Sequence, residues 1–279
     1  MTEPSVKDVR HFWESNPLHN CVTDESEGSA AFFDEQRALC RSVLFAKEID
    51  ARIFPTEENQ EHVLDLGCGP GLWTVELALN GLKKITAIDL TDRGIAITQQ
   101  RCQHYGIEAT CQRENAEALS FDDETFSHVH SFGVIHHTPD TPACVREIHR
   151  VLKPNGTATV SVYYKNVILR YWPILKYVAK FLHALGAKMK GRGREDIYNM
   201  DDPAEVVRYY DGADNPIGKY YSTQEYRDML EPYFEIEETF LHYFPVQSLP
   251  FKLPFFIHRF LELNFGFMII AKLKKKNTD

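Results

Sequence analysis

The chain has 279 residues, of which 43% are hydrophobic and 12% aromatic, enough to bury a sizeable core. Its net charge of −9 argues against a general nucleic-acid binder. The N-terminus is charged where a signal peptide needs an apolar run, and no stretch approaches the roughly 18 uninterrupted apolar residues of a membrane span, so we expect a cytoplasmic protein.

Repeated βα units are predicted between about residues 60 and 163, where short apolar runs alternate with helical periodicity. The predicted strands cover residues 62–66, 84–89, 108–113, 128–133 and 156–163. The predicted helices between them cover residues 72–82, 92–105 and 142–152. Further along, a helix is predicted at 222–230, with Ser222 and Glu225 in capping-box spacing, and strands at 233–244 and 265–273.

The most informative local feature is Asp65-Leu-Gly-Cys-Gly-Pro-Gly71, between the first predicted strand and the helix that follows it. Glycines there let the backbone turn sharply and approach a ligand without a side chain in the way. A dinucleotide with a pyrophosphate favours the spacing G-x-G-x-x-G, whereas the third glycine here comes one residue early. The next strand ends at Asp89, whose carboxylate can accept hydrogen bonds from ribose hydroxyls. The combination predicts a nucleoside ligand without a pyrophosphate.

Five motifs, in order over about residues 60–163, resemble the successive motifs of class I S-adenosylmethionine-dependent methyltransferases. They are Asp65-Leu-Gly-Cys-Gly-Pro-Gly71, Ile88-Asp-Leu90, Asn115-Ala-Glu117, Gly133-Val-Ile-His-His-Thr-Pro-Asp140 and Val151-Leu-Lys-Pro-Asn-Gly156. The resemblance implies S-adenosyl-L-methionine as the cofactor. Many relatives have Asp where this chain has Asn115, but an amide both donates and accepts hydrogen bonds near an adenine.

The same resemblance implies which residues hold the cofactor. Asp65, Gly67 and Gly69 would contact its methionine end, Asp89 its ribose, and the segment from Asn115 to Glu117 its adenine. The N-terminal helix of such relatives often folds over the cofactor as a lid, with ordinary core packing of Phe12 and Trp13 as the alternative. The whole predicted cofactor site is Asp65, Gly67, Cys68, Gly69, Gly71, Asp89, Leu90, Asn115, Ala116, Glu117, Gly133 and Trp13.

The implied fold is α/β, a three-layer Rossmann-like sandwich with a seven-stranded, mostly parallel sheet. Its last strand, residues 265–273, would run antiparallel as a hairpin with residues 233–244. Residues 1–58 would form an N-terminal helical lid and residues 59–164 the S-adenosylmethionine-binding core. Residues 165–221 would form a helical and loop insertion after the fifth strand that caps the substrate, and residues 222–279 the C-terminal part of the core.

Methyl transfer is an in-line displacement, in which the protein positions the acceptor, excludes water and sometimes removes a proton. His136 and His137 follow the fourth predicted strand, where open α/β sheets bind ligands, and an imidazole can accept a proton at neutral pH. They are the candidate catalytic bases, with structural packing as the alternative. The candidate substrate contacts are Tyr163, Tyr164, Tyr198 and Tyr209. The six cysteines and the other histidines have no metal-ligand spacing, so no metal site is predicted.

A basic segment lies between residues 148 and 194, with ten Lys or Arg and no Asp or Glu. Within it, Lys176, Lys180 and His183 recur at helical spacing opposite a wide apolar face. The favoured interpretation is a lid helix whose apolar face packs on the core and whose basic edge is solvated. The alternatives are capture of an anionic substrate by the basic loop and a helix lying on an anionic membrane surface.

The predicted function is methyl transfer from S-adenosyl-L-methionine to a small or lipid-like acceptor. A methyltransferase acting on RNA, on DNA bases or on protein is an alternative, although the chain lacks an (Asp/Asn)-Pro-Pro-(Tyr/Phe) motif and a recognisable RNA-binding module. A non-catalytic protein that binds S-adenosylmethionine is the second alternative, because a fold does not dictate its function. The sequence leaves open whether carbon, nitrogen, oxygen or sulfur accepts the methyl group, and which oligomer forms.

Overall fold

A computed structural model describes residues 3–17, 23–43, 48–186, 194–246, 249 and 251–277. The helices are α1 (Val6–Ser15), α2 (Ala30–Val43), α3 (Leu72–Leu79), α4 (Asp92–Tyr105), α5 (Thr141–Val151), α6 (Val167–Arg170), α7 (Trp172–Ala184), α8 (Pro203–Tyr210), α9 (Thr223–Leu230) and α10 (Phe255–Phe265). The strands are β1 (Val63–Leu66), β2 (Ile85–Asp89), β3 (Thr110–Arg113), β4 (Phe126–Phe132), β5 (Leu152–Tyr164), β6 (Tyr220–Tyr221), β7 (Phe234–His242) and β8 (Met268–Lys275). Within these ranges, no helix is both long and apolar enough to cross a bilayer.

Seven strands form a continuous sheet in the order β3-β2-β1-β4-β5-β8-β7. Strands β1 to β5 are parallel, and β8 is antiparallel to both β5 and β7. The two-residue β6 pairs with the end of β5 and is an eighth strand outside that path. Helices α3, α4, α5 and α9 pack against the sheet. The predicted Rossmann-like sandwich with an antiparallel last strand is confirmed. The predicted hairpin is wrong, because β7 and β8 pair across a connection that contains α10.

The central strands are buried because both of their faces are covered, and this holds even for polar residues such as His128 and His130 of β4. All residues of β1 are buried, and so is β2 up to Asp89, the residue that reaches the edge of the sheet. The helices that follow the strands begin at side chains that accept backbone N–H groups: Thr91 for α4, Asp140 for α5 and Ser222 for α9. The capping box predicted from Ser222 and Glu225 is present. Each cap fixes where the chain turns away from the sheet.

The C-terminal part contains a helix, α10, that the sequence pattern did not predict. It begins after Pro254 and ends before Gly266, and its buried side carries His258 and Glu262, one helical turn apart. The strand predicted at residues 265–273 therefore starts later, at Met268, and runs on to Lys275. The boundary was misplaced because Phe265 and Phe267 continue the aromatic run of the helix into the strand.

The insertion packs in the opposite orientation from the one favoured by its sequence. Helix α7 contacts the rest of the chain through Trp172, Lys176, Ala179 and His183, whose ring lies 4.8 Å from that of Tyr198. The Trp172 indole N–H donates to the Met200 carbonyl (2.9 Å), and Lys176 pairs with Asp201. The apolar side chains that are exposed instead are Ile174, Tyr177, Val178, Phe181 and Leu185. The prediction that this apolar face packs on the core is wrong, because Trp172 and Lys176 turn the other face inward. Residues 187–193 of the basic loop lie outside the described residues.

Candidate functional site

A pocket lies at the carboxyl ends of β1, β2, β4 and β5, the edge at which open α/β sheets bind ligands. One wall consists of backbone and polar groups from residues 67–70, 89–91, 114–116, 133–134 and 137–138. Another part of the lining is mostly aromatic and combines side chains that are far apart in the sequence. Its members are Trp13, Trp73, Phe132, Tyr163, Tyr210, His242, Tyr243 and Met268. The pocket therefore has a polar half and an aromatic half.

The glycine loop shapes the polar half through its backbone. Gly67 and Cys68 donate their N–H groups to the Ile88 carbonyl, both at 2.8 Å, which ties the loop to the end of β2. Gly67 has φ +79°, and a Cβ there would lie 2.4 Å from a Val134 methyl group. Gly69 has φ +51°, and a Cβ there would meet no protein atom within 4 Å. Gly69 thus leaves open the space in which a ligand can approach the backbone.

Asp89 connects this loop to α4. Its carboxylate accepts the Gly69 N–H (2.9 Å), the Thr91 N–H (2.9 Å) and the Thr91 hydroxyl (2.6 Å). Burial raises the pKa of this carboxyl above its usual range, and the hydrogen bonds from Thr91 and Gly69 oppose that rise. The carboxylate oxygen that accepts the Gly69 N–H takes one of these three hydrogen bonds. It can therefore accept a further hydrogen bond from a group in the pocket, such as a ribose hydroxyl.

Three predicted cofactor residues, Asp65, Gly71 and Glu117, do not line the pocket but contact the segments that do. Asp65 accepts the Thr74 hydroxyl at 2.5 Å, and its burial raises the pKa to about 7. Gly71 packs against Thr98, where a Cβ would lie 2.9 Å from the hydroxyl oxygen. Glu117 accepts the Asp140 N–H at 2.6 Å. These residues hold the glycine loop, the start of α3 and the start of α5. The predicted cofactor residues that do line the pocket are Trp13, Gly67, Cys68, Gly69, Asp89, Leu90, Asn115, Ala116 and Gly133.

Helix α1 lies over the pocket and is tied to the start of α4. Glu14 accepts the N–H groups of Asp92 (2.9 Å) and Arg93 (3.0 Å), where a carboxylate also interacts favourably with the helix dipole. Arg10 pairs with Asp92 at 2.6 Å. These contacts hold Trp13 edge-on to the His137 ring, with 5.1 Å between the ring centres. Trp13 thereby forms part of the pocket wall, as a lid would require.

The two histidines predicted as bases occupy different places. His137 lines the pocket; its Nδ1 donates to the Ile217 carbonyl at 2.8 Å, and its Nε2 lies 3.5 Å from the Asp211 carboxylate. Tyr163 donates its hydroxyl to the same carboxylate at 2.9 Å. His136 is fully buried behind the wall, packed on the rings of His137 and Tyr163, and burial lowers its pKa well below the usual value. Only His137 is placed to meet a ligand.

A further histidine in the wall, His242, was not singled out from the sequence. Its Nδ1 pairs with Glu262 of α10, and Glu262 also pairs with Arg259 at 3.0 Å. Burial alone would raise the pKa of Glu262, but the hydrogen bond and the charges of His242 and Arg259 hold it below the usual value. A carboxylate on Nδ1 orients an imidazole so that Nε2 is the proton-accepting atom. No local motif marks this pair, because its members come from β7 and α10.

Of the four tyrosines predicted to contact the substrate, one lines the pocket and the others pack in the interior. Tyr163 lines the pocket, whereas Tyr164 packs against the core on the other face of the sheet, since successive strand residues point to opposite faces. Tyr198 and Tyr209 pack in a cluster with Leu169 and belong to the interior of the insertion. Tyr210, next to Tyr209, takes the wall position and shares a hydrogen bond with Tyr243.

Known proteins are similar in sequence to part of this chain. Residues 63–156 match the family model described as a methyltransferase domain. Over 149 residues the chain is 30% identical to the ubiquinone biosynthesis O-methyltransferase of Pseudomonas putida, covering 52% of this chain and 60% of that protein. The chain thus spans about 60% of the length of the curated relatives it matches. Residues 63–156 are thus similar in sequence to a methyltransferase domain, which supports the resemblance to class I S-adenosylmethionine-dependent methyltransferases.

Solved structures extend the methyltransferase fold over more of the chain. An S-adenosylmethionine-dependent methyltransferase from Methanosarcina mazei superposes with a TM-score of 0.57 at 19% identity, covering 83% of this chain and all of that one. A putative methyltransferase solved with the Haloferax volcanii Trm112 activator also gives 0.57, at 15% identity, with 97% and 99% covered. The [4+2]-cyclase SpnF gives 0.54 at 13% identity, covering 100% and 98%. At these identities the likeness shows the fold alone.

The cofactor of this methyltransferase family is S-adenosyl-L-methionine, and the residues present suit it. Gly69 leaves room for a ligand against the backbone, and Asp89 offers carboxylate oxygens beside that space. Asn115 and Ala116 line the pocket next to them, on the side predicted for the adenine. The assignment of individual cofactor contacts stays a prediction.

Proposed function

We propose that this chain transfers a methyl group from S-adenosylmethionine to a small, largely apolar acceptor that packs against the aromatic half of the pocket. The observation that carries the proposal is that one pocket joins the glycine-loop wall to the aromatic wall. An O-methyltransferase named for ubiquinone biosynthesis among the relatives supports an acceptor of this size. Aromatic side chains bind flat apolar groups well and exclude water from the reacting atoms.

Each half of the pocket has its own task in this proposal. When bound, S-adenosylmethionine supplies the electrophilic methyl group. Asp89 holds the ribose and the glycine loop holds the amino-acid end, so that the acceptor side faces the aromatic wall. Trp13, on the helix tied to α4, closes the pocket over the ligands. Tyr163, fixed by its hydrogen bond to Asp211, orients a polar group of the acceptor.

A hydroxyl acceptor must lose a proton, and His137 is the group we propose for it. Its Nδ1–H is held by the Ile217 carbonyl, so Nε2 is the atom that can take a proton. A proton taken there would lie beside the Asp211 carboxylate, which stabilises the resulting imidazolium. His242, oriented by Glu262, is the second candidate for the same step. Their positions on different parts of the wall make them separable by mutation.

The test is release of S-adenosylhomocysteine with a matched set of acceptors. We expect turnover with a phenol or quinol carrying an apolar tail and weaker turnover with the same ring without the tail. We expect none with a short RNA or a peptide. The Asp89→Ala variant is the control for cofactor-dependent signal. Turnover on RNA or peptide in place of the phenols would contradict the proposal. Tight cofactor binding without any turnover would instead favour a non-catalytic protein or one with another chemistry.

A further inference from the structure

Exposed apolar side chains are concentrated in two helical segments of the described surface. Of the thirteen large apolar side chains exposed there, twelve lie within residues 167–185 and 251–263. We call these twelve the apolar rim: Val167, Tyr171, Ile174, Tyr177, Val178, Phe181, Leu185, Phe251, Phe255, Phe256, Phe260 and Leu263. Phe256, at 72%, and Ile174, at 70%, are the most exposed of them. Large exposed apolar patches are uncommon on soluble monomers, and they mark interaction sites.

Both segments of the rim are attached to the edge of the sheet that forms the pocket. Helix α6 follows β5 directly, and α10 directly precedes β8. Tyr163 of β5 pairs with Met268 of β8, and both line the pocket. The buried Asn166 side chain ties the segments together, since its amide N–H groups donate to the carbonyls of Phe265 (3.1 Å) and Gly266 (3.3 Å). The apolar rim therefore lies beside the aromatic half of the pocket.

The charge around the rim differs from that of the whole chain. The chain carries −9, yet residues 148–194 and 239–261 contain no Asp or Glu. Arg170, Lys180 and Lys252 are exposed among the apolar side chains of the rim. Glu262, the acidic residue within α10, is fully buried. Lys188, Lys190 and Arg192 belong to the same basic segment of the sequence, outside the described residues. Asp201, which pairs with Lys176, is an exposed acidic neighbour of α7, so the cationic character belongs to the segments that carry the rim. Segments that are apolar and cationic suit a partner that is apolar and anionic.

We propose that the apolar rim docks on an anionic lipid bilayer and that the pocket takes its acceptor, a ring with an apolar tail, from that bilayer. Apolar helix faces insert into the boundary between headgroups and acyl chains, and nearby Lys and Arg bind anionic lipid. Tyr171 and Tyr177 have the amphipathic rings favoured at that boundary. The nature of the acceptor rests on the proposed function, whereas bilayer binding requires neither cofactor nor turnover.

Vesicle flotation with the full chain tests the docking. We expect it to float with vesicles of phosphatidylcholine mixed with phosphatidylglycerol, less with phosphatidylcholine alone, and less at high salt. Phe181→Ser and Phe256→Ser should each weaken binding about tenfold, because each removes a phenyl ring from the lipid. Leu79→Ser is the matched control, since Leu79 is exposed at the end of α3 away from the pocket.

Charge neutralisation gives the second set of variants. Arg170→Gln and Lys180→Gln should each weaken binding to the mixed vesicles about fivefold. Lys83→Gln and Lys84→Gln are the controls, because these exposed lysines precede β2 at the opposite edge of the sheet. No flotation of the wild type at low salt, or equal losses in rim and control variants, would overturn the proposal. A further outcome is that the wild type fails to bind vesicles but forms a dimer that Phe181→Ser and Phe256→Ser convert to a monomer. That result would overturn bilayer docking and show that the rim binds a second copy of the chain.

A parallel titration with S-adenosylhomocysteine separates this inference from the proposed function. If the chain binds the nucleoside but does not float with vesicles, bilayer docking is contradicted and the methyltransferase proposal is not. If the chain floats but does not bind the nucleoside, the methyltransferase proposal is contradicted and bilayer docking is not. Neither result depends on knowing the acceptor.

Discussion

Gly69 gives the sharpest test of the glycine loop as a ligand cradle. We expect Gly69→Ala to fold but to bind S-adenosylhomocysteine about 5- to 150-fold more weakly, equivalent to about 1–3 kcal/mol for overpacking a close contact. The folded protein without ligand has room for the added methyl group, since nothing lies within 4 Å of it. The variant therefore loses only about 1 kcal/mol of stability, from a non-glycine residue at φ +51°.

Gly106→Ala is the matched control for that backbone cost. Gly106 ends α4 at φ +65°, and a Cβ there also meets no atom within 4 Å, but the residue is not in the pocket wall. Thermal unfolding should show similar small losses for the two variants, and titration calorimetry should show weakened binding for Gly69→Ala alone. Wild-type affinity in Gly69→Ala, or an equal loss of affinity in Gly106→Ala, would show that the ligand does not approach the backbone at Gly69.

Three further predictions concern the charged groups of the pocket. Asp89→Ala should weaken binding of S-adenosylhomocysteine by about 1.5–3 kcal/mol in calorimetry, and unchanged affinity would reject the ribose assignment. Asp65 keeps its proton up to about pH 7 in the folded state but loses it near pH 3.8 when unfolded. The free energy of unfolding should therefore fall by up to about 4 kcal/mol as the pH rises from about 3.8 to about 7. Denaturant titrations of Asp65→Asn should show a weaker dependence on pH, and an unchanged dependence would contradict the prediction. His137→Gln should bind the cofactor normally yet lose roughly 10²–10⁴ in rate, and a loss confined to His242→Gln would move the base to the other histidine.

The sequence predicts the core well because each of its signals is local. The turn from Asp65 to Gly71, the strand ending at Asp89 and the segment at Asn115 each combine a motif with the element that positions it. Parallel strands bring those three segments to one edge of the sheet, so the polar half of the pocket follows from their order along the chain.

Apart from Trp13 and Tyr163, which were predicted from the leading helix and the strand end, the aromatic half could not be predicted in this way, because its members meet only through long-range packing. Trp73, Tyr210 and His242 come from α3, α8 and β7 and share no motif. The insertion shows the same limit. Its helical periodicity is correct, but which face turns inward depends on partners such as Met200 and Asp201, which lie beyond the basic loop. An amphipathic pattern identifies two faces and does not say which one the fold covers.

If one pocket presents a cofactor-bound methyl group to an aromatic wall, a crystal structure with S-adenosylhomocysteine should show the ligand between the glycine loop and that wall. We expect ribose hydroxyls within hydrogen-bond distance of Asp89, the adenine beside Asn115, and the sulfur directed toward Tyr163 and His242. A nucleoside bound elsewhere, or a sulfur directed away from the aromatic wall, would contradict this expectation.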